Sequence, residues 1–304
     1  MNEETVSLLR AAIDAYLMHR VRGTLEPSER PLPYDFDEID RVQWRVLGHT
    51  MVVDELRELT NCMNEWQLSL RRWQAWNSVL LSFGEQDAWT VRREFVEVLA
   101  HYCLLQPSAV RDKFTFVVTN AMHQVRLASD VDYRDVLVGD PAEPGQRLRY
   151  PSRREKEERL AGVIKGFPGA TPFLHKLRSL DDEACRQQIS DYRNLVSHSI
   201  GPRLGIGLTR AVVRRVEPAT ELAQQPDGTF RLTSVAGRLA VSYGLGGTEP
   251  LDMESAWSVC FTQYRRARLC YDQYRALLRA GLAGMTPANP APVEISGGAG
   301  DAEP

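Results

Sequence analysis

Residues 91–125 read VRREFVEVLAHYCLLQPSAVRDKFTFVVTNAMHQV, and their periodicity decides the fold class. Val91, Phe95, Val98, Leu99 and Tyr102 recur at three- and four-residue intervals, the spacing of one helical face. Beyond Pro107, a residue tolerated in a first helical turn, Val110, Phe114, Val117, Val118, Ala121 and Val125 repeat the pattern. The two stripes predict an antiparallel helix pair.

Working outward, helical periodicity dominates. Val6, Leu9, Ile13 and Leu17 predict an amphipathic helix at the start. From Asp37 to about Phe83 the pattern fits two helices, or one broken near Gly48, with Trp44, Trp66, Trp73 and Trp76 as core. Between Ser129 and Glu158 periodicity fails, and Asp140-Pro141, Glu143-Pro144-Gly145 and Tyr150-Pro151 mark a long loop. A helix is predicted over Asp181–Ser199, capped by Ser179 or Asp181 and ended by Gly201-Pro202. The segment after it changes character. Leu208 to Val216 is rich in β-branched residues, Pro226-Asp227-Gly228 is a turn signal, and Phe230/Leu232 and Leu239/Val241/Tyr243 alternate as strands do. A last helix carries Trp257, Cys260, Phe261, Tyr264, Ala267, Tyr271, Tyr274 and Leu278 on one face. Arg265, Arg266, Arg268, Asp272, Arg275 and Arg279 lie off that stripe, on what reads as a solvated face. The expected fold is mainly α, a helical bundle with a small inserted antiparallel β-sheet. Its expected organisation is an N-terminal helical region over 1–85, a bundle over 86–283 with the β insertion at about 204–247, and a disordered tail over 284–304.

Composition narrows the function. Apolar residues make up 43% and charged residues 25% of 304 residues, an ordinary globular balance. A formal charge of −3 argues against coating nucleic acid through bulk charge, but leaves room for a local basic site. The start, Met1-Asn2-Glu3-Glu4, has no basic segment leading into an apolar stretch, so no signal peptide or membrane span is expected. Five widely spaced cysteines without a C-x-x-C pair predict buried, reduced thiols in a cytoplasmic protein, and no zinc site.

Chemistry concentrates in Asp191-Tyr192-Arg193-Asn194-Leu195-Val196-Ser197-His198. Cleaving RNA without a metal requires a base for the 2′-hydroxyl, a cation for the phosphate and an acid for the leaving oxygen. Histidine moves protons near neutral pH, and arginine offers a permanently charged fork matched to phosphate. Asparagine can orient either one. On a helix Asn194 and His198, four apart, share a face, with Arg193 about 100° from Asn194. One copy supplies a single His198, and two copies across a two-fold axis would complete an acid–base pair. Arg193, Asn194 and His198 are therefore the candidate catalytic residues. Asp191, Tyr192 and Ser197 are candidates for substrate binding.

At these residues the chain resembles the HEPN superfamily (higher eukaryotes and prokaryotes nucleotide-binding). That family's signature is an Arg, usually followed by Asn, with a His four to six residues after the Arg. Arg193-Asn194-x-x-x-His198 fits it. The resemblance extends to a helical bundle with the motif on a late helix, strands inserted after it and one more long helix, loosely Phe95 to Leu282. It implies a metal-independent endoribonuclease without a cofactor, leaving a 2′,3′-cyclic phosphate. Such an enzyme would be a homodimer serving as a toxin or defence effector, with an antitoxin or other regulatory protein as partner. The chain departs from the family at Ile200, where HEPN toxins silenced by a nucleotidyltransferase carry a Tyr. Two other readings remain: a non-catalytic module that binds RNA or a nucleotide, and a helical interaction protein whose motif is only a helix end.

Other features read as structure. His19, His49, His101, His123 and His175 are scattered, without metal-ligand spacing, though His123 lies off its stripe and is a candidate neighbour of the motif. Asp35, Asp37 and Glu38 precede a helix as caps do. Arg147, Arg149, Arg153 and Arg154 are interleaved with Glu155, Glu157 and Glu158, more as a solvated face than an RNA-gripping arm.

Overall fold

The computed structural model describes residues 2–22, 24–141, 143 and 150–288. Among them the chain is mainly helical, with one two-stranded antiparallel sheet. The helices are α1 (Glu3–Arg22), α2 (Asp37–Asp40), α3 (Gly48–Leu80), α4 (Glu85–Val91), α5 (Glu97–Ser129), α6 (Arg153–Ile164), α7 (Ala170–Arg178), α8 (Glu183–Gln188), α9 (Tyr192–His198) and α10 (Met253–Leu282). Strands β1 (Val212–Gln224) and β2 (Phe230–Leu245) lie between α9 and α10, inside the stretch expected to hold them. No described helix is long and apolar enough to cross a membrane.

The quoted stretch is not a helix pair. A π-helical turn (Arg92–Val96) joins α4 to α5, and α5 runs through Pro107 to Ser129. Proline inside a helix removes one hydrogen bond and frees the carbonyl four residues earlier, at a cost of about 3 kcal/mol. Here that carbonyl belongs to Cys103, and the buried Cys260 thiol donates to it at 3.5 Å. The orphaned acceptor has a partner, so the helix continues. All five cysteines are buried and outside any disulfide, and burial pushes the Cys260 thiol pKa well above its ordinary value.

The chain divides into two compact units, and α3, α5 and α10 each contribute to both. The first comprises residues 1–28, 68–106 and 181–263. Its core stacks Tyr16 on Trp76 (centroids 4.5 Å apart) and Trp76 on Phe95 (4.7 Å). The Trp257 indole donates to the Leu70 carbonyl. Helix α1 buries Leu9 and Ala12 and leaves Ile13 and Leu17 exposed. The stacked Tyr16 turns the helix away from the face that its aliphatic spacing suggests.

The second unit comprises 29–67, 107–180 and 264–304. Trp66 meets Tyr264 edge to face, and the Thr60 and Tyr271 hydroxyls share a hydrogen bond. Three arginines expected on a solvated face of α10 are bound instead. Arg266 donates to the Ser179 carbonyl and Arg268 to the Arg30 carbonyl. Arg275 is buried and donates to Glu38, to the Asp35 carboxylate and to the Asp35 carbonyl. Asp35 and Glu38 thus neutralise an arginine. Arg153 pairs with Asp112 and Arg154 with Glu158, while Arg147 and Arg149 lie outside the described residues. Of the tail expected to be disordered, Met285 is buried, Gln43 donates to the Thr286 carbonyl and Ala288 to the Arg41 carbonyl. Residues 289–304 lie outside the described residues.

Candidate functional site

The motif stands on its own short helix in the first unit. The single helix expected over Asp181–Ser199 is two. Asp182, not Ser179 or Asp181, caps α8, its carboxylate accepting from the Cys185 amide at 2.9 Å. Helix α8 then stops in a Schellman arrangement. The Ser190 amide donates to the Gln187 carbonyl and the Asp191 amide to the Arg186 carbonyl. This requires left-handed backbone, and Ser190 (φ 52°) and Asp191 (φ 48°) both adopt it. Without glycine that conformation costs about 1–2 kcal/mol per residue. So α9 starts at Tyr192, and Arg193 and Asn194 sit in its first turn rather than in the last turns of a long helix.

Side chains then form a chain of contacts. The Asn194 amide donates to both oxygens of Asp191, at 3.0 and 2.9 Å, and Arg193 Nη1 donates to Asn194 Oδ1 at 3.0 Å. Asp191 thereby fixes Asn194, and Asn194 fixes one edge of the guanidinium. Arg193 is exposed, and Asn194 is its one hydrogen-bond partner among the described residues. His198, the last residue of α9, is exposed and forms no hydrogen bond or ion pair with any described residue. Ser197 is exposed beside it. Tyr192 differs. It is buried, its hydroxyl and His101 Nδ1 are hydrogen-bonded at 3.0 Å, and burial, then the Glu97 carboxylate, push its pKa up to about 12. It anchors α9 to α5.

Two cavities flank the helix. One, about 450 Å³, is lined by Trp89, Arg93, Glu97, His101, Tyr192 and Arg203 among others, and the Arg93 guanidinium lies 5.0 Å from the Trp89 ring centre. The other, about 390 Å³, is lined by Glu183, Arg186, Gln187, Ser190, Asp191 and Asn194. Arg186 Nε is buried there without a partner. Arg193 and His198 line neither cavity; they stand on open surface next to residues that do.

Sequence spacing identifies the exposed pair, but not His101 or Arg186. His101 sits in an apolar helical pattern with no motif of its own. Arg186 precedes the motif by a helical break that contains no glycine. His123, a candidate neighbour of the motif, belongs to the second unit and is held by the Tyr133 hydroxyl at 2.9 Å and Asp135 at 2.8 Å. Among the described residues, no three histidine, cysteine or carboxylate side chains are grouped to hold a metal ion. Comparison with protein-family models, with curated proteins and with solved structures finds no match to this chain.

Proposed function

We propose that this chain is a metal-independent endoribonuclease of the HEPN type that works as a homodimer in the cytoplasm, as a toxin or defence effector restrained by a regulatory protein. One observation carries the reading. A seven-residue helix leaves both Arg193 and His198 exposed to solvent, with Arg193 already oriented through Asn194 and Asp191. Orientation before substrate arrives removes an entropic cost from the transition state. In the proposed reaction the 2′-oxygen attacks phosphorus while His198 of one protomer takes its proton. The bond from phosphorus to the 5′-oxygen breaks, and the partner's His198 returns a proton to that oxygen. The two Arg193 side chains hold the pentacoordinate phosphate, and the products are a 2′,3′-cyclic phosphate and a 5′-hydroxyl.

The test uses purified protein, cellular RNA and a chelator, with His198→Ala alongside. Cleavage to cyclic-phosphate ends by the wild type alone is the expected outcome. Equal cleavage by both proteins, or none by either, overturns the proposal. A second reading, a module that grips RNA or a nucleotide without cutting it, draws on the cavity beside Tyr192, where an exposed indole and two arginines offer a base platform and phosphate donors. Binding that survives His198→Ala and fails with Arg93→Ala, with no cleavage, would favour it.

A further inference from the structure

The hairpin between α9 and α10 has its apolar side turned to solvent. β1 and β2 pair antiparallel, so residues opposite each other share a face: Val212 with Leu245, Val216 with Val241, Pro218 with Leu239. Past the irregularity after Pro218 the same row of β1 continues through Thr220 and Leu222, opposite Ser234 and Leu232, and reaches Phe230 across from Gln224. This face is mostly apolar, with Thr220, Ser234 and Gln224 its polar members and Arg214 its one charge. The reverse face carries Arg215, Glu217, Glu221, Arg231 and Ser242.

Alternation of this kind ordinarily marks a strand with one side on a core. Here neither side is buried, so the apolar row stands open: Val216, Leu222, Leu232, Leu239, Val241 and Tyr243 are between 50% and 73% accessible. A lone two-stranded ribbon is marginal in water, and exposed apolar patches beyond a few hundred Å² mark contact surfaces. Nine large apolar side chains, at roughly 100 Å² each, give on the order of 900 Å². A standard stable interface takes about 800 Å² from each partner.

We infer that this face is the dimer interface, and that its occupant is the same face of a second copy. The complement of an almost uncharged row is another such row, and a two-fold axis lying between two ribbons, parallel to their faces, supplies one with no further component. Arg214 lies near the base of the row, where its long stem lets the guanidinium reach the rim. The assignment rests on the two-copy reading above and names the surface that makes the pair. The ribbon belongs to the same unit as α9 and follows it by thirteen residues, 199–211, so clasped ribbons bring both copies of the motif helix into one assembly.

The test measures mass by sedimentation at micromolar concentration for the full chain, for Leu239→Asp/Val241→Asp on the apolar face, and for Ser242→Asp on the reverse face. A wild-type dimer is expected, with Ser242→Asp still dimeric and the apolar-face variant monomeric, its dissociation constant raised about a hundredfold or more. Circular dichroism checks that each variant keeps its helices. Thiol cross-linking gives a second readout, since every native cysteine is buried. Oxidised Thr220→Cys is expected to link two chains and Glu221→Cys is not. A monomeric wild type, or a dimer indifferent to the apolar-face variant, overturns the inference. A ribbon-dependent dimer that cuts no RNA sustains it and removes the ribonuclease reading instead. A dimer that cuts RNA but ignores the ribbon does the reverse.

Discussion

Arg275 on α10 and Arg193 on α9 carry the same guanidinium in opposite settings. Arg275, in the second unit, has a side chain only 6% exposed and donates to two carboxylates and a carbonyl. Arg193, in the first, is exposed and donates to one asparagine. The first arrangement engages all three guanidinium nitrogens inside the fold, out of a ligand's reach. The second fixes one edge and leaves the rest for a phosphate. Partner count and exposure, rather than residue type, separate an arginine that holds the fold from one that can serve chemistry. The histidines divide the same way: His123 is held at both nitrogens, and His198 at neither.

The contrast breaks most sharply if the exposed pair proves inert. Arg193→Ala and His198→Ala are each expected to lower RNA cleavage about a thousandfold, equivalent to about 4 kcal/mol of transition-state stabilisation. Stability should stay within about 0.5 kcal/mol of wild type, as for surface changes generally. Denaturant titration and a cleavage assay on the same preparations check both halves. Loss of stability in proportion to activity would return Arg193 to the structural class.

Arg275→Ala should show the converse. Removing one partner from a buried pair typically costs 3–5 kcal/mol; Asp35 is itself 60% exposed, which favours the lower end, about 3 kcal/mol. Cleavage per folded molecule should not change. A loss under 1 kcal/mol in chemical denaturation would mean that solvent already satisfies the two carboxylates.

Tyr192 sharpens the comparison, because it is the buried member of an exposed motif. Tyr192→Phe removes the hydrogen bond to His101 and should cost about 1 kcal/mol. The hydroxyl also links stability to pH. Its folded pKa of about 12 lies above the ordinary 10, so its contribution is complete below pH 10 and is lost as pH rises toward 12. Tyr264 in the second unit is likewise raised to about 12, chiefly by burial. Alkaline destabilisation should therefore become shallower in Tyr192→Phe without vanishing. An unchanged pH profile would separate Tyr192 from that linkage.

Helical spacing made the fold class readable, because periodicity is a property of side-chain order alone. It failed where tertiary partners override local rules. Pro107 signalled a helix start, yet a thiol from α10 satisfies the carbonyl that it frees. Arg275 lies off the apolar stripe as a surface residue does, and only Asp35 and Glu38, far away in sequence, make it a core residue. Alternation located the hairpin, but alternation says which residues share a face and not which way that face looks. Within the candidate site, residue types and spacing singled out Arg193, Asn194 and His198. Arg186 stayed hidden because the break at Ser190 carries no glycine or proline to announce it, and His101 because it sits in an apolar helical pattern.

That break supplies the mildest test. Ser190 holds a left-handed conformation that glycine adopts freely, so Ser190→Gly relieves about 1 kcal/mol of strain. Part of that gain is offset because glycine makes the unfolded chain more flexible. A net stabilisation of about 0.5 kcal/mol is expected, seen as a higher denaturation midpoint with unchanged slope. The substitution leaves the ladder from Asp191 through Asn194 to Arg193 in place, so any cleavage activity should persist. If stability falls instead, the helix runs unbroken through 190, and Arg193 regains the late-helix position that spacing alone assigned to it.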